Sequence, residues 1–148
     1  MAIEYTRYNS PTQAYCERIE VAMNFLNRIV LDEPYNPFPD EPTPIIFEAI
    51  EDGRLVAAAA VTAMEPTRDQ FILKLMGVIP DRRSSGIGGE LLRHVEQGAV
   101  QLGASALLTF AMNERAFHFY TKFGYVLADD PEYLVKRLLT SVESHQCH

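Results

Sequence analysis

The pattern of apolar and polar positions divides this chain into strands and helices. Alternating or continuous apolar runs predict strands over residues 3–8, 45–50, 55–61, 71–79, 104–111, 125–127 and 132–138. Apolar residues at helical spacing predict three helices, which begin after residues 10, 86 and 113. The resulting order, β-α-β-β-β-α-β-α-β-β, is that of an α/β chain.

Residues that start or stop helices mark the helix boundaries. Ser10 precedes the first helix as its capping residue, and Pro11 is its first residue, the N1 position. Gly103 ends the second helix, and the third helix lies between the capping residue Asn113 and Gly124. The face of the first helix that is expected to be buried carries Tyr15, Ile19, Ala22, Leu26 and Ile29.

Residues 75–92 hold the most informative pattern in the chain. An apolar run stops at Pro80, a polar loop follows, and a helical pattern begins at Gly86-Ile87-Gly88-Gly89. Backbone N–H groups before a helix can converge on an anion, and the helix dipole adds to the attraction. The third glycine of a dinucleotide fingerprint and the Gly-Lys-Ser/Thr ending of a P-loop are both absent. The loop therefore predicts another kind of phosphate cradle, or a turn whose glycines only let a helix pack on a sheet.

Length and composition fit one globular domain. A chain of 148 residues can bury about 70% of its unfolded surface. We expect a single domain over residues 1–140 and a disordered tail over 141–148. No apolar run approaches a membrane span, the N-terminus lacks the features of a signal peptide, and two cysteines give no disulfide framework. A cytoplasmic protein without a membrane partner is expected.

The charge balance excludes one class of partner. The formal net charge is −7 and no dense basic block is present, which argues against binding nucleic acid. An acidic surface could steer a cationic amine to the protein, or it could serve solubility alone. His145, Cys147 and His148 are possible metal ligands, but a terminal tail offers poor geometry for zinc, so no metal site is expected.

Two motifs resemble those of the GNAT acetyltransferase superfamily. Arg83-x-x-Gly86-x-Gly88 resembles its [QR]-x-x-G-x-[GA] signature. The second signature, N-x-x-A-x-x-[FLY]-Y-x-x-x-G-[FY], is matched by Asn113-x-x-Ala116-x-x-Phe119-Tyr120-x-x-Phe123-Gly124-Tyr125. The resemblance covers Ile3 to about Leu138. It implies a GNAT-like α/β fold with a mixed, strongly twisted central sheet of about six to seven strands flanked by helices.

The resemblance also implies an activity and a set of site residues. The protein would transfer the acetyl group of acetyl-coenzyme A to a primary amine by direct attack in a ternary complex. Backbone groups of Met76 and Val78 would pair with the pantetheine arm, and Asn113 would contact the cofactor. Tyr120 would be the general acid for the departing thiolate. An aromatic that shares a face with Phe119 and Phe123 is more often core, but the full match of the second motif favours the catalytic role. The pyrophosphate would be held by Arg83, Ser84, Ser85, Gly86, Ile87, Gly88 and Gly89.

The general base departs from the family pattern. Many relatives carry a glutamate in the strand before the second motif, and residues 106–110 contain none. Candidates are Glu48, Glu65, Asp69, His118, or a water held by backbone carbonyls or Thr109. The missing carboxylate supports an alternative function, an acyl-coenzyme A sensor of the same fold without catalysis.

The acceptor remains open between a small-molecule amine and a peptide N-terminus. A stiff loop over residues 35–44, with four prolines, Tyr35 and Phe38, could wall a substrate pocket or simply connect two elements. Small side chains over residues 57–60 could leave room for a longer acyl group. An edge strand near residues 133–138 could pair between subunits and form a homodimer.

Overall fold

The computed structural model describes residues 3–9, 12–31, 44–64, 69–111 and 113–138. Within these residues, seven strands and three α-helices follow one another in the predicted order. The strands are β1 Ile3–Tyr8, β2 Ile45–Glu51, β3 Arg54–Ala63, β4 Gln70–Val78, β5 Ala106–Thr109, β6 Val126–Leu127 and β7 Leu134–Arg137. The helices are α1 Gln13–Leu26, α2 Ile87–Gln101 and α3 Glu114–Lys122.

The strands form one open, mixed sheet in the order β1-β2-β3-β4-β5-β7-β6. This arrangement confirms the predicted α/β fold class. The chain divides into two compact units, Met1–Thr62 with Leu75–Val95 and Ala63–Lys74 with Glu96–His148. A single domain over residues 1–140 stays a prediction, and the predicted tail, 141–148, lies outside the described residues.

In the first unit, β1, β2 and β3 form an antiparallel meander. β1 pairs with β2 from Ile3↔Glu51 to Tyr8↔Ile46, and the β2–β3 hairpin closes at Glu51↔Arg54. The two turn residues, Asp52 and Gly53, have φ values of 52° and 79°. Positive φ at both central positions is what a two-residue hairpin needs to match the twist of its strands.

Helix α1 packs on this meander through small side chains. Ala22 and Leu26 of α1 form a buried cluster with Ile46, Ala58 and Ala60 of the sheet. The small side chains of Ala58 and Ala60 let the helix approach closely, so α1 occupies the room beside these two residues. A π-helical turn, Asn27–Leu31, follows α1 directly. The residues Ser10 and Pro11, the side chain of Tyr15 and loop residues 35–43 lie outside the described parts.

In the second unit, β5 is the central strand. It pairs in parallel with the first half of β4, from Gln70↔Ala106 to Leu73↔Thr109, and antiparallel with β7. It begins later than predicted because the N–H of Ala104 still bonds to the carbonyl of Ala99 in the last turn of α2.

The prediction that the strand near residues 133–138 lies at the edge of the sheet is wrong. β7 pairs with β5 on one side and with β6 on the other, so β6 is the outer strand. The sequence predicts both C-terminal strands, but which of them joins β5 is a tertiary choice. Separately, none of the helices in the described part of the chain is long and apolar enough to cross a membrane.

Candidate active site

In the first unit, β4 leads into an ordered turn rather than an open loop. The N–H of Ile79 donates to the carbonyl of Val56 (2.9 Å), and residues Pro80–Arg82 form one turn of 3-10 helix. Pro80 suits this position because its fixed φ is helical and the first N–H of a helix has no intrahelical partner. Residues 80–89, from this turn to the start of α2, are called the glycine cradle below.

Two residues of the glycine cradle have left-handed backbone conformations. Ser84 has a φ of 66° and Gly86 a φ of 89°. A Cβ placed on Gly86 would meet no atom within 4 Å, so this glycine serves the backbone conformation and not close packing. The alternative that glycine is needed there only to let a helix pack on the sheet is therefore wrong for Gly86.

The glycine cradle ends at the N-terminus of α2. The N–H of Glu90 donates to the carbonyl of Gly86 (3.1 Å), which is the first bond of the helix. The N–H groups before it, those of Ile87, Gly88 and Gly89, have no carbonyl acceptor within the helix. Together with the helix dipole, these donors suit an anion such as a phosphate.

Side chains of the glycine cradle reinforce its backbone. Arg83 is exposed, and its Nε donates to the carbonyl of Val78 (3.1 Å), which ties the cradle to the end of β4. The Ser85 hydroxyl donates to the carbonyl of Arg82 and closes the turn around Ser84. The predicted binding residues from Arg83 to Gly89 thus lie together in one continuous structure.

Met76 and Val78 flank Gly77 on β4, and all three are half-buried. A Cβ on Gly77 would lie 2.8 Å from both Ile29 Cδ1 and Val30 Cγ2 of the π-helical turn. Since side chains alternate across a strand, Met76 and Val78 point to the face opposite this turn. The sequence reasoning missed Gly77, although a glycine inside an apolar strand often marks a close approach.

In the second unit, Asn113 caps α3 as predicted. Its φ is −158°, and its Oδ1 accepts a hydrogen bond from the N–H of Ala116 (2.9 Å). This bond satisfies one of the free donors of the first turn. It also fixes the side-chain amide, whose NH₂ group is a donor.

Tyr120 lies on the buried face of α3 and is 6% exposed. Its ring makes edge contacts with those of Phe119 and Tyr125, at centroid distances of 5.3 and 5.6 Å. Burial raises the pKa of Tyr120 above its ordinary value, and a hydrogen bond with the Thr109 hydroxyl acts in the opposite direction. A neutral phenol in such a place can donate a proton at physiological pH.

Thr109 is the last residue of β5 and is fully buried. Its hydroxyl lies 3.3 Å from the carbonyl oxygen of Leu73, to which it donates. The hydroxyl therefore connects the backbone of β4 to the environment of Tyr120. From the sequence alone, Thr109 is predicted only as a residue that could hold a water.

A partly buried polar cluster supports the ring that contacts Tyr120. The Tyr125 hydroxyl donates to Glu96 Oε2 (2.8 Å), and Lys136 Nζ lies 3.1 and 3.2 Å from the two oxygens of Glu96. Lys136 also lies over the Tyr125 ring, 5.7 Å from its centroid. Burial, followed by the neighbouring Glu96 carboxylate, raises the pKa of Tyr125 far above its ordinary range. Sequence spacing gave no signal for this cluster.

The candidates for the general base have different surroundings. Both oxygens of the buried Glu48 accept hydrogen bonds from Arg18, the shortest at 2.7 Å, so the two residues form a structural ion pair. His118 is exposed and lies 3.7 Å from Glu114 one turn away. Glu65 lies outside the described residues. No cluster of three or more His, Cys, Asp or Glu side chains suited to a metal occurs in the parts of the chain that are described.

Comparison with a protein-family model and with solved structures relates this chain to one family and one fold. The model of the acetyltransferase (GNAT) family matches residues 5–125. No curated protein sequence matches the chain significantly. The fold is similar to that of Tetrahymena GCN5, with a TM-score of 0.72, 10% sequence identity and coverage of 95% of this chain and 99% of that one.

Two further solved structures share the fold. Ard1 from Thermoplasma volcanium has a TM-score of 0.69 and 16% identity, with coverage of 94% of this chain and 99% of that one. Naa50 from Arabidopsis thaliana, solved in complex with the bisubstrate analogue CoA-Ac-MVNAL, has a TM-score of 0.64 and 17% identity, with coverage of 93% and 100%. At such identities these similarities concern the fold.

Proposed function

The chain belongs to the GNAT acetyltransferase family, and from this premise we propose that it transfers the acetyl group of acetyl-coenzyme A to a primary amine. The observation that carries the proposal is the glycine cradle. Ser84 and Gly86 turn the backbone into left-handed conformations immediately before a helix N-terminus. Such a backbone presents several N–H donors to one anion, and the pyrophosphate of coenzyme A is the expected ligand.

The remaining cofactor contacts follow from the family resemblance. Backbone groups of Met76 and Val78 would orient the pantetheine arm and the thioester. An N–H group of this strand would polarise the thioester carbonyl as an oxyanion donor. The amide of Asn113, already fixed by its cap, would contact the cofactor from α3. Orientation of the two reactants in a ternary complex would account for much of the rate.

Tyr120 is the proposed general acid. The amine nitrogen attacks the thioester carbonyl carbon, a C–N bond forms, and the C–S bond breaks. The departing thiolate takes the proton of the Tyr120 hydroxyl. The nitrogen loses its extra proton to a base, for which a water held by Thr109 or by backbone carbonyls is proposed. Proton exchange with solvent then restores the phenol.

The acceptor is proposed to be a small-molecule amine or a peptide N-terminus. The Naa50 structure carries a bisubstrate analogue that joins CoA to a peptide, which supports testing a peptide among the acceptors. The proposed compartment is the cytoplasm, because the two cysteines give no disulfide framework. A homodimer also remains a proposal; β6, and not β7, is the outer strand of the sheet.

The first test is calorimetric titration with acetyl-coenzyme A. The wild type is expected to bind with micromolar affinity, and Gly86→Glu is expected to abolish binding because it places a side chain and a negative charge in the glycine cradle. Gly103→Glu is the matched control. Gly103 also has a positive φ, 98°, and open space around its Cβ position, but it lies after α2. Equal loss in both variants, or no binding by the wild type, would contradict the proposal.

An acyl-coenzyme A sensor without catalysis is the second candidate. The observation that favours it is β5, Ala106–Thr109, which carries no carboxylate. Tight binding of acetyl-coenzyme A without transfer to a broad panel of amines and peptides would select the sensor. Transfer to any member of the panel would select the enzyme.

A further inference from the structure

Two ion pairs connect the β2–β3 hairpin to the glycine cradle. Glu51, the last residue of β2, accepts a 2.6 Å hydrogen bond from Arg82 Nη2. Arg54, the first residue of β3, donates to Asp81 at 3.2 Å. The first pair is largely buried, with side chains 11% and 31% exposed, whereas both side chains of the second are 61% exposed. Water screens the second pair strongly, so the Glu51–Arg82 pair is the one able to fix the cradle.

Arg82 is the residue on which the cradle backbone converges. Its N–H donates to the carbonyl of Ile79 (3.0 Å), and its own carbonyl accepts the hydrogen bond of the Ser85 hydroxyl. Its Nε is buried and has no hydrogen-bond partner among the described residues. Glu51 therefore supplies the charged partner that keeps this guanidinium, and with it the backbone of Arg82, in place.

The conformation next to Arg82 needs such support. Ser84 has a φ of 66°, which residues with a Cβ rarely adopt. A strained residue persists when its surroundings determine its conformation on more than one side. Here the Ser85–Arg82 bond closes the turn around Ser84, and the ion pair with Glu51 anchors that turn to the sheet.

We propose that Glu51 is a positioning residue for coenzyme A, which acts through Arg82 to hold the glycine cradle in its anion-binding conformation. The inference rests on the proposed function and adds a residue outside both family motifs. The expected effect of the Glu51 charge on affinity is opposite to that of simple electrostatics. A carboxylate near an anion site ordinarily repels the anion, whereas this carboxylate is expected to favour binding.

Calorimetric titration with coenzyme A tests whether loss of the Glu51 charge weakens or strengthens binding. Glu51→Gln is expected to bind about tenfold more weakly than the wild type, although the change removes a negative charge. The reason is that only a fraction of the Glu51→Gln molecules would hold the cradle in its binding conformation. The apparent affinity falls in proportion to that fraction. Arg54→Gln, which breaks the exposed pair of the same hairpin, is expected to stay within about twofold. Equal or tighter binding by Glu51→Gln overturns the proposal.

Hydrogen exchange without ligand tests, independently of binding, whether the Glu51–Arg82 ion pair stabilises the glycine cradle. The amides of residues 82–89 are expected to exchange faster in Glu51→Gln than in the wild type or Arg54→Gln. Unchanged hydrogen exchange in Glu51→Gln overturns this proposal, whether or not coenzyme A binds. Failure of the wild type to bind coenzyme A is a different result, which would reject the proposed function. Should Glu51→Gln fold poorly, Glu51→Asp keeps the charge, is one methylene too short for the 2.6 Å contact, and is expected to weaken binding likewise.

Discussion

At the scale of single residues, burial decides what a side chain can do chemically. Tyr120 is an ordinary phenol by sequence, but its place on the inner face of α3 raises its pKa. A phenol that stays neutral can donate a proton and is a poor base. The same burial also fits simple core packing, and only a kinetic measurement separates the two roles.

Tyr120→Phe is expected to lower kcat of acetyl transfer by about 10²-fold or more, with little change in KM for acetyl-coenzyme A. The hydroxyl acts only when the thiolate departs, so its loss should affect the transition state and not binding. Steady-state kinetics with an accepted amine measures both constants. Tyr133→Phe, which removes another phenol of the same unit, is the control and should leave kcat unchanged. An unchanged kcat in Tyr120→Phe would leave only the packing role.

At the scale of elements, buried contacts place α1 on the sheet. Arg18 of α1 reaches across to Glu48 on β2, and beyond α1 the π-helical turn packs on Gly77. Glu48 is 1% exposed, so water screens its carboxylate little from the Arg18 guanidinium 2.7 Å away. A buried ion pair adds little net stability compared with apolar residues, but removal of one partner is costly.

Arg18→Ala is expected to destabilise the protein by about 3 kcal/mol, because it leaves the Glu48 carboxylate buried without its cation. Urea unfolding measures the free energy. The matched control is Arg93→Ala, which breaks the exposed pair with Glu90 and should cost less than about 1 kcal/mol. Replacement of both Arg18 and Glu48 by apolar residues should recover most of the loss. A similar cost for Arg18→Ala and Arg93→Ala would contradict this account.

At the scale of the whole molecule, stability depends on groups that must stay uncharged in the folded state. Tyr120 and Tyr125 are both buried, and their pKa values are raised. Folding keeps them protonated, while the unfolded chain can ionise them once the pH passes about 10. Their contribution is therefore fully present below pH 10 and is lost as the pH rises towards the folded-state values.

Thermal unfolding between pH 8 and 11.5 should reveal this loss. Each of the two tyrosines is expected to steepen the decline above pH 10 by about 1.4 kcal/mol per pH unit. Tyr125→Phe should be less stable at pH 8, because it loses the hydrogen bond to Glu96, but should decline less steeply above pH 10. Parallel curves of stability against pH for the variant and the wild type would show that Tyr125 ionises alike in the folded and unfolded states.

The sequence by itself determined what depends on near neighbours in the chain. Asn113 caps α3 through a bond to a residue three positions on, and Gly86 adopts a positive φ that its lack of a Cβ permits. The order of elements follows from periodicity within each segment. The family resemblance added the proposed roles of the cradle and of Tyr120, because both motifs are short and local.

Only the tertiary structure decided which distant residues meet. Glu51 and Arg82 are 31 positions apart, and Glu96 meets Tyr125 and Lys136 across 29 and 40 positions. β7, and not β6, joins β5, and α1 occupies the space beside Ala58 and Ala60. These contacts depend on how separate elements pack, and many charged residues of the same sequence could have formed other pairs. Local preference fixes elements, whereas burial and packing choose their partners.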